Sequence, residues 1–288
     1  MRKIIVVPAD LHCGSTVGLI PNGIWQKAEG GTYTPSPAQR IIWKQWLAGW
    51  KAVEKLRSEK DAKLIVTFNG DLVDGIHHDT SELVTDIREE QERIATDCID
   101  AGLKIAGFKD GDVLQFTRGT GTHVGKGSEE RIARDFDARP SKKPTQGKSD
   151  GKFLFDRCKF YANKVLFDIA HEGFGIGTRA WTTENSVLLS LKSMYWESLE
   201  NGVDLPRYII RSHLHRFIDV LFSRNGKMVN GIITPSFQLS THYVNQRVTG
   251  KSLQLPSIGM FIVVVEDTGQ SYTLCEQIIL PSKRVVRL

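Results

Sequence analysis

Residues 3–9 form a β-branched apolar run that stops at Asp10, and residues 63–69 form a second that stops at Gly70-Asp71. Unbroken apolar runs of this length suit strands buried on both faces, and each would deliver a carboxylate at its C-terminal end. Between them Ser36-Pro37 is an N-cap and first-turn pair, and Ile41, Ile42, Trp46, Trp50 and Val53 recur at helical spacing to about Arg57. The pattern predicts a strand, helix, strand crossover. A second helix is expected over 81–106, where Leu83, Ile87, Ile94, Cys98 and Leu103 form the apolar stripe, and it leads into a strand over 113–117. Ser128 is placed to cap a short helix over 129–136.

The second half reads as a strand over 164–169, a helix over 183–199 and a strand over 207–211. Asn225-Gly226 lies between alternating runs at 217–222 and 228–233, and Thr268-Gly269 between runs at 260–265 and 272–279, which is the hairpin signature. The end of the chain should therefore be mostly antiparallel. Residues 139–152 are rich in Pro, Lys, Ser and Gly and read as a mobile loop carrying Lys142, Lys143, Lys148 and Lys152. No repeat at a solenoid period is present.

Composition adds bounds. The 288 residues are 40% hydrophobic and 25% charged, which is ordinary globular usage. One domain, 1–288, can absorb this length if helices cover both faces of a sandwich. No apolar run approaches the 18 or so residues a membrane span needs, and the first residues read straight into a strand, so a cytoplasmic protein without membrane attachment is expected. The four cysteines, Cys13, Cys98, Cys158 and Cys275, show no CxxC spacing and suggest neither a disulfide framework nor a cysteine zinc site. A net charge of +5 mildly favours anionic partners.

Ligand-type residues gather at the ends of the predicted strands, where open α/β sheets place their ligands. The blocks are Asp10-Leu11-His12, Gly70-Asp71-Leu72-Val73-Asp74-Gly75, Gly119-Thr120-Gly121-Thr122-His123, His171-Glu172-Gly173 and Ser212-His213-Leu214-His215. A lone DxH or HxH spacing arises often by chance, and Asp10 alone would read as a carboxylate capping a loop. His213 and His215 follow the apolar run 208–210, and period-2 spacing would put them on one face. Divalent ions of the Mn, Fe and Zn kind accept such mixed carboxylate and imidazole sets.

Taken in order, the blocks resemble the calcineurin-like metallophosphoesterase superfamily, whose pattern is DxH, GDxxD, GNH[DE], a His after a strand, and GHxH. The resemblance spans roughly residues 1–233, and the looser GTGTH block is similar to that of phage-encoded members. It implies a four-layer αββα sandwich, an α/β (α+β) fold of two mixed sheets flanked by helices. It implies two divalent metal ions (Mn, Fe, Zn or Mg, with Mn favoured). Asp10, His12, Asp71 and His215 would hold the first, and Asp71 would bridge to a second held by His171 and His213. His123, oriented by Asp74, would face the leaving group as general acid or electrostatic stabiliser. The family's Asn ligand has no counterpart: aligning on Gly119 puts Thr120 in its place, and aligning on Gly121 puts Thr122 there.

Other polar and aromatic residues have plain readings beside functional ones. His77 and His78 read as solvated loop residues, and His242 either lines the substrate pocket or does not. Cys13 reads as a small buried residue, and Trp25 and Tyr33 either pack their loop on the body or stack on a base. The function implied is metal-dependent hydrolysis of a phosphate ester by an ion-activated water, leaning to a phosphodiesterase or nuclease, with nucleic acid as a candidate partner. A phosphomonoesterase, including a protein phosphatase, is the nearest rival. A non-catalytic binding module on the same fold is a rival of another class.

Overall fold

The computed structural model describes residues 1–59, 61–76, 82–125, 127–143, 145, 151–175, 180–242 and 256–279. The first strand, β1 (Arg2–Val7), is buried on both faces. Short strands β2 (Trp25–Gln26) and β3 (Thr32–Tyr33) pair in the loop that follows, and α1 (Pro37–Glu59) returns the chain to β4 (Ala62–Asn69), parallel to β1. Next come α2 (Arg88–Ile105), β5 (Val113–Thr117), the single turn α3 (Gly121–Val124), α4 (Ser128–Asp135) and β6 (Leu154–Phe155). The chain then crosses into a second sheet through β7 (Cys158–Ala162) and β8 (Val165–Ile169), runs through α5 (Ala180–Asn201), and adds β9 (Tyr208–Arg211), β10 (Ile218–Arg224) and β11 (Lys227–Ile233). The hairpin of β12 (Ser257–Val265) and β13 (Ser271–Ile279) closes the first sheet.

Strand order is β13-β12-β1-β4-β5-β6 in the first sheet and β10-β11-β9-β8-β7 in the second, and both mix parallel with antiparallel neighbours. Alternation along the strands separates three apolar layers. Ile4 and Val6 of β1 pack with Leu64, Val66 and Phe68 of β4 under Trp46, Trp50 and Val53 of α1. Ile5 and Val7 point the other way, onto Phe167, Ile169, Tyr208 and Ile210 of the second sheet. Beyond that sheet Val187 and Leu191 of α5 cover Ile209, Val229 and Ile233. The architecture is thus an αββα sandwich, with each buried Ile or Val side chain contributing roughly 1.5–3 kcal/mol relative to exposure. Among the described residues no helix is long and apolar enough to cross a membrane.

The elements depart from the sequence pattern in several places: β2, β3, α3, β6 and β7 have no counterpart in it, and α5 is longer than 183–199. The second helix begins at Arg88, not 81, because Glu82 and Val84 pair with Thr16 and Gly14, and the Thr85 hydroxyl takes the Ile87 amide (3.1 Å). Ser128 is the first residue of α4, and its cap is Gly127 at φ 90°. The Ser128 hydroxyl is buried and has no hydrogen-bond partner among the described residues. The lysine-rich loop is tied at its base by reciprocal main-chain bonds between Lys142 and Lys152 (3.1 and 2.9 Å); Lys148, like His77 and His78, lies outside the described residues.

Trp25 and Tyr33 pack against the first core layer, where Arg93 lies 4.4 Å over the Trp25 ring and the Tyr33 hydroxyl donates to Gln39 (2.7 Å). Cys13 is fully buried.

Candidate metal centre

The C-terminal ends of β1, β4, β5, β8 and β9 meet at one end of the sandwich, and an asparagine fastens four of them. Asn69, at the end of β4, donates to the Ala170 carbonyl (3.0 Å) and to the Ser212 hydroxyl (2.6 Å), beyond β8 and β9. It also accepts from Thr117 of β5. Its own carbonyl accepts from Nδ1 of His171 (2.7 Å), which fixes the hydrogen on that nitrogen and turns Nε2 toward the centre.

Strand ends alone would point successive side chains apart; the backbone turns them together. Among the described non-glycine residues with positive φ are Asp10 (52°), His12 (45°), Asp71 (52°), His213 (71°) and His215 (53°). Each such conformation costs on the order of 1–3 kcal/mol and persists only where surrounding structure enforces it. This corrects the expectation for His213 and His215: β9 has ended at Arg211, and two left-handed turns, not strand period, bring the rings to one side.

Two donor clusters converge here, Asp10 with His12 and His215, and Asp71 with His171 and His213. On one side, His12 Nε2 lies 3.1 Å from His215 Nε2, which lies 3.4 Å from Asp10 Oδ1. On the other, Asp71 Oδ2 lies 3.0 Å from His171 Nε2 and 3.9 Å from His213 Nδ1. The same oxygen is 4.0 Å from His12 Nε2. Metal–nitrogen and metal–oxygen bonds of roughly 2.0–2.2 Å put adjacent ligand atoms of one ion about 3–3.5 Å apart, which the spacings of 3.0, 3.1 and 3.4 Å meet, while those of 3.9 and 4.0 Å are wider. Asp10 Oδ1 is buried and, among the described residues, has no well-aligned hydrogen bond, its nearest imidazole nitrogen being His215 Nε2 at 3.4 Å; that is a costly setting for a carboxylate unless a cation satisfies it. Oxygen and imidazole donors in this mixture fit borderline divalent ions.

The charges are strongly coupled. Burial pushes the Asp71 carboxyl up, but the His171 imidazole and its hydrogen bond more than offset that, leaving Asp71 well below the usual carboxylate range. Asp10 is likewise lowered, with His215 and His171 outweighing burial. Burial lowers His171, yet Asp71 and Asp10 carry it up to about 10. Burial lowers His12, but its Nδ1 bond to Asp74 Oδ1 (3.0 Å) and the charges of Asp74, Asp71 and Asp10 together carry it up.

Asp74 serves two histidines. Its carboxylate holds His12 and accepts from Gln238 Nε2 (3.0 Å), and its main-chain carbonyl accepts from His123 Nδ1 (2.6 Å). A carboxylate behind a metal-facing imidazole fixes tautomer and orientation. His123 stands edge-on to His12, ring centroids 4.6 Å apart. Thr120, not Thr122, reaches the clusters: its hydroxyl lies 3.0 Å from Asp71 Oδ2, 3.2 Å from His171 Nε2 and 3.0 Å from His213 Nδ1, while Thr122 is exposed.

Sequence reasoning missed Glu129, Gln238 and Asn69. Glu129 is fully buried and grips both ligand loops, accepting from Leu72 N (3.1 Å) and Gly119 N (2.9 Å). Burial and then the Asp71 charge push it up to about 7. Nothing local separates it from Glu130 beside it. Gly119 was in a noted block, but its reason is structural: a Cβ there would collide with the main chain and carboxylate of Asp71.

A depression of about 330 Å³ opens beside His213, lined by Glu172, Phe174, Leu214 and neighbouring glycines. His242 is not among its lining residues; its amide donates to Glu82 (2.8 Å). Around β6 and β7 three half-exposed cations are paired with carboxylates. Arg118 precedes Gly119-Thr120 and pairs with Asp156 (2.8 Å), and Arg157 and Lys159 both reach the buried Asp168. These three side chains are 47–50% exposed, enough to meet an anion from solvent.

No family model matches the sequence, and no curated protein does. Solved structures similar to the chain include phosphoesterases. One is a predicted phosphoesterase from Streptococcus pneumoniae (10% identity, TM-score 0.33, covering 96% of this chain and 98% of that one). A second is a phosphatase from Mycoplasma pneumoniae (12%, 0.40, 97% and 93%). A third is a 5'-nucleotidase precursor from Thermus thermophilus (12%, 0.40), where the match covers 97% of this chain but spans 55% of that one. Likeness at this level carries no chemical argument, so the functional reading rests on the residues themselves.

Proposed function

We propose that the chain hydrolyses phosphate esters with two divalent ions, one held by Asp10, His12, His215 and Asp71 and the other by Asp71, His171 and His213. The observation that carries this reading is Asp71 Oδ2, placed 3.0 Å from His171 on one side and 4.0 Å from His12 on the other, beside a buried Asp10 oxygen whose nearest imidazole nitrogen, on His215, lies 3.4 Å away. When bound, such a pair of ions lowers the pKa of water and neutralises phosphoryl oxygens.

The chain's own residues do the rest. Asp71 spaces the two ligand sets and offsets their positive charge. Asp74 locks His12 and, through its carbonyl, requires a hydrogen on Nδ1 of His123, so that Nε2, when the ring is protonated to the imidazolium, is the nitrogen that would give its proton to a departing alkoxide and be left a neutral imidazole. The depression beside His213 has room for the group attached to phosphorus. The half-exposed Arg118 and Lys159, although ion-paired, together with exposed Lys142, Lys143 and Lys152, support phosphodiesters and a polynucleotide over a neutral small ester.

The test is a chelator-stripped protein reloaded with Mn and assayed against bis-p-nitrophenyl phosphate, p-nitrophenyl phosphate, cyclic nucleotides, a phosphopeptide, and single- and double-stranded DNA. Two ions per chain and faster diester turnover are expected. Faster monoester or phosphopeptide turnover would move the substrate class to phosphomonoesters, and a protein holding no ions would be a binding module.

A further inference from the structure

We propose that the Thr120 hydroxyl is an oxygen ligand of the second ion, and that this ion is in consequence the weakly held, exchangeable member of the pair. The inference rests on the metal-centre reading above and adds a ligand and a loading order to it.

Three observations place the hydroxyl. It lies 3.0–3.2 Å from Asp71 Oδ2, His171 Nε2 and His213 Nδ1, so it touches each donor atom of the second cluster. Four donors around one ion must approach one another at about this spacing. The backbone holds it there: Thr120 N donates to Asp71 Oδ1 (2.7 Å), and the preceding Gly119 amide is gripped by Glu129. Finally, Thr120 is the N-cap residue of α3, a position where threonine ordinarily turns its hydroxyl onto the helix amides; here no such capping bond forms. The hydroxyl gives up its local partner and faces the cluster.

The loading order follows from donor chemistry. The first cluster has two carboxylates, Asp10 and Asp71, with His12 and His215. The second shares Asp71 and otherwise has only neutral donors, of which an alcohol oxygen is a poor one. Its His213 is also 41% exposed, so water competes on that side. The first site should fill at low metal concentration and the second at higher concentration.

The experiment is Mn titration of chelator-stripped protein by calorimetry, with electron paramagnetic resonance to count exchange-coupled Mn pairs, on wild type, Thr120→Val, Thr120→Ser and Thr120→Asn. Two binding steps are expected in wild type. Thr120→Val should weaken the second step about tenfold or more, in the range seen when metal-site partners are removed, and leave the first unchanged. Thr120→Ser should bind like wild type, and Thr120→Asn, which supplies an amide oxygen, should tighten the second step. A second step in Thr120→Val as tight as wild type overturns the proposal, as does a loss in Thr120→Ser equal to that in Thr120→Val, which would mark methyl packing as the cause. Failure of wild type itself to bind Mn would instead remove the metal-centre reading on which the proposal stands.

Discussion

Replacing Glu129 by Gln tests whether a residue outside the ligand set controls the metal centre. Glu129 accepts two main-chain amides in a fully buried setting, Leu72 N at 3.1 Å and Gly119 N at 2.9 Å, one residue from Asp71 and one from Thr120 respectively. Glutamine has one acceptor oxygen, so one amide would face an NH2 group and lose its partner. A hydrogen bond to a charged acceptor is worth about 1.5–3 kcal/mol, and an unsatisfied buried donor costs about 1–3 kcal/mol, in part the same energy counted twice, so about 2–4 kcal/mol is the expected loss. For a chain of this size that lowers Tm by about 3–7 °C. The two loops would also separate, and affinity for the second ion should fall about tenfold. Glu130→Gln is the internal control. Glu130 grips Phe153 N (2.8 Å) and Leu154 N (3.2 Å), away from the ligands, so its loss should cost stability without changing Mn affinity. Differential scanning fluorimetry and Mn titration on both variants decide the matter. A Glu129→Gln protein with wild-type Tm and wild-type Mn affinity would refute the reasoning.

Asp71→Asn should abolish hydrolysis, because the amide removes the charge that lets two cations sit close together; unchanged turnover with both ions bound would sink the assignment. His123→Ala should slow alkyl esters by about 10²–10⁴-fold and p-nitrophenyl esters far less, since only poor leaving groups need a proton. Equal losses would make His123 structural. The apoprotein should be most stable at mildly acidic pH. Asp10 and Asp71, lowered from 3.8, contribute stability above that pH and lose it as pH falls; Glu129 and His171, raised from 4.5 and 6.5, contribute below those values and lose it as pH rises through about 7 and about 10. Mn must displace the His171 proton, so its effect on Tm should be larger at pH 8.5 than at pH 6, and a pH-independent effect would contradict this. Replacing Arg118, Lys143 and Lys159 by Ala should make the salt dependence of DNA binding shallower by up to about 0.9 per lost phosphate contact, with turnover of bis-p-nitrophenyl phosphate unchanged; an unaltered slope would take these side chains out of substrate binding.

The sequence by itself determined the order of the longer helices and most strands, though not of β2, β3, α3, β6 and β7, and the residues available for chemistry. Apolar runs ending at Asp10 and Asp71, helical spacing from Ile42 to Val53 and the Asn225-Gly226 turn are local signals, because burial on both faces, helix period and turn type each leave their mark within a few residues. Only the tertiary structure decided how those residues meet. The start of the second helix at Arg88 depends on pairing with a loop some 70 residues earlier, which no local window contains. The convergence of His213 with His215 comes from left-handed turns that oppose the intrinsic preference of both residues and survive because packed strand ends enforce them. The choice of Thr120 over Thr122 needed the position of Asp71, and the roles of Asn69 and Glu129 needed main-chain amides and carbonyls that every residue carries alike. Such groups have no sequence identity, so which of them a buried side chain will satisfy is settled only when the chain has folded.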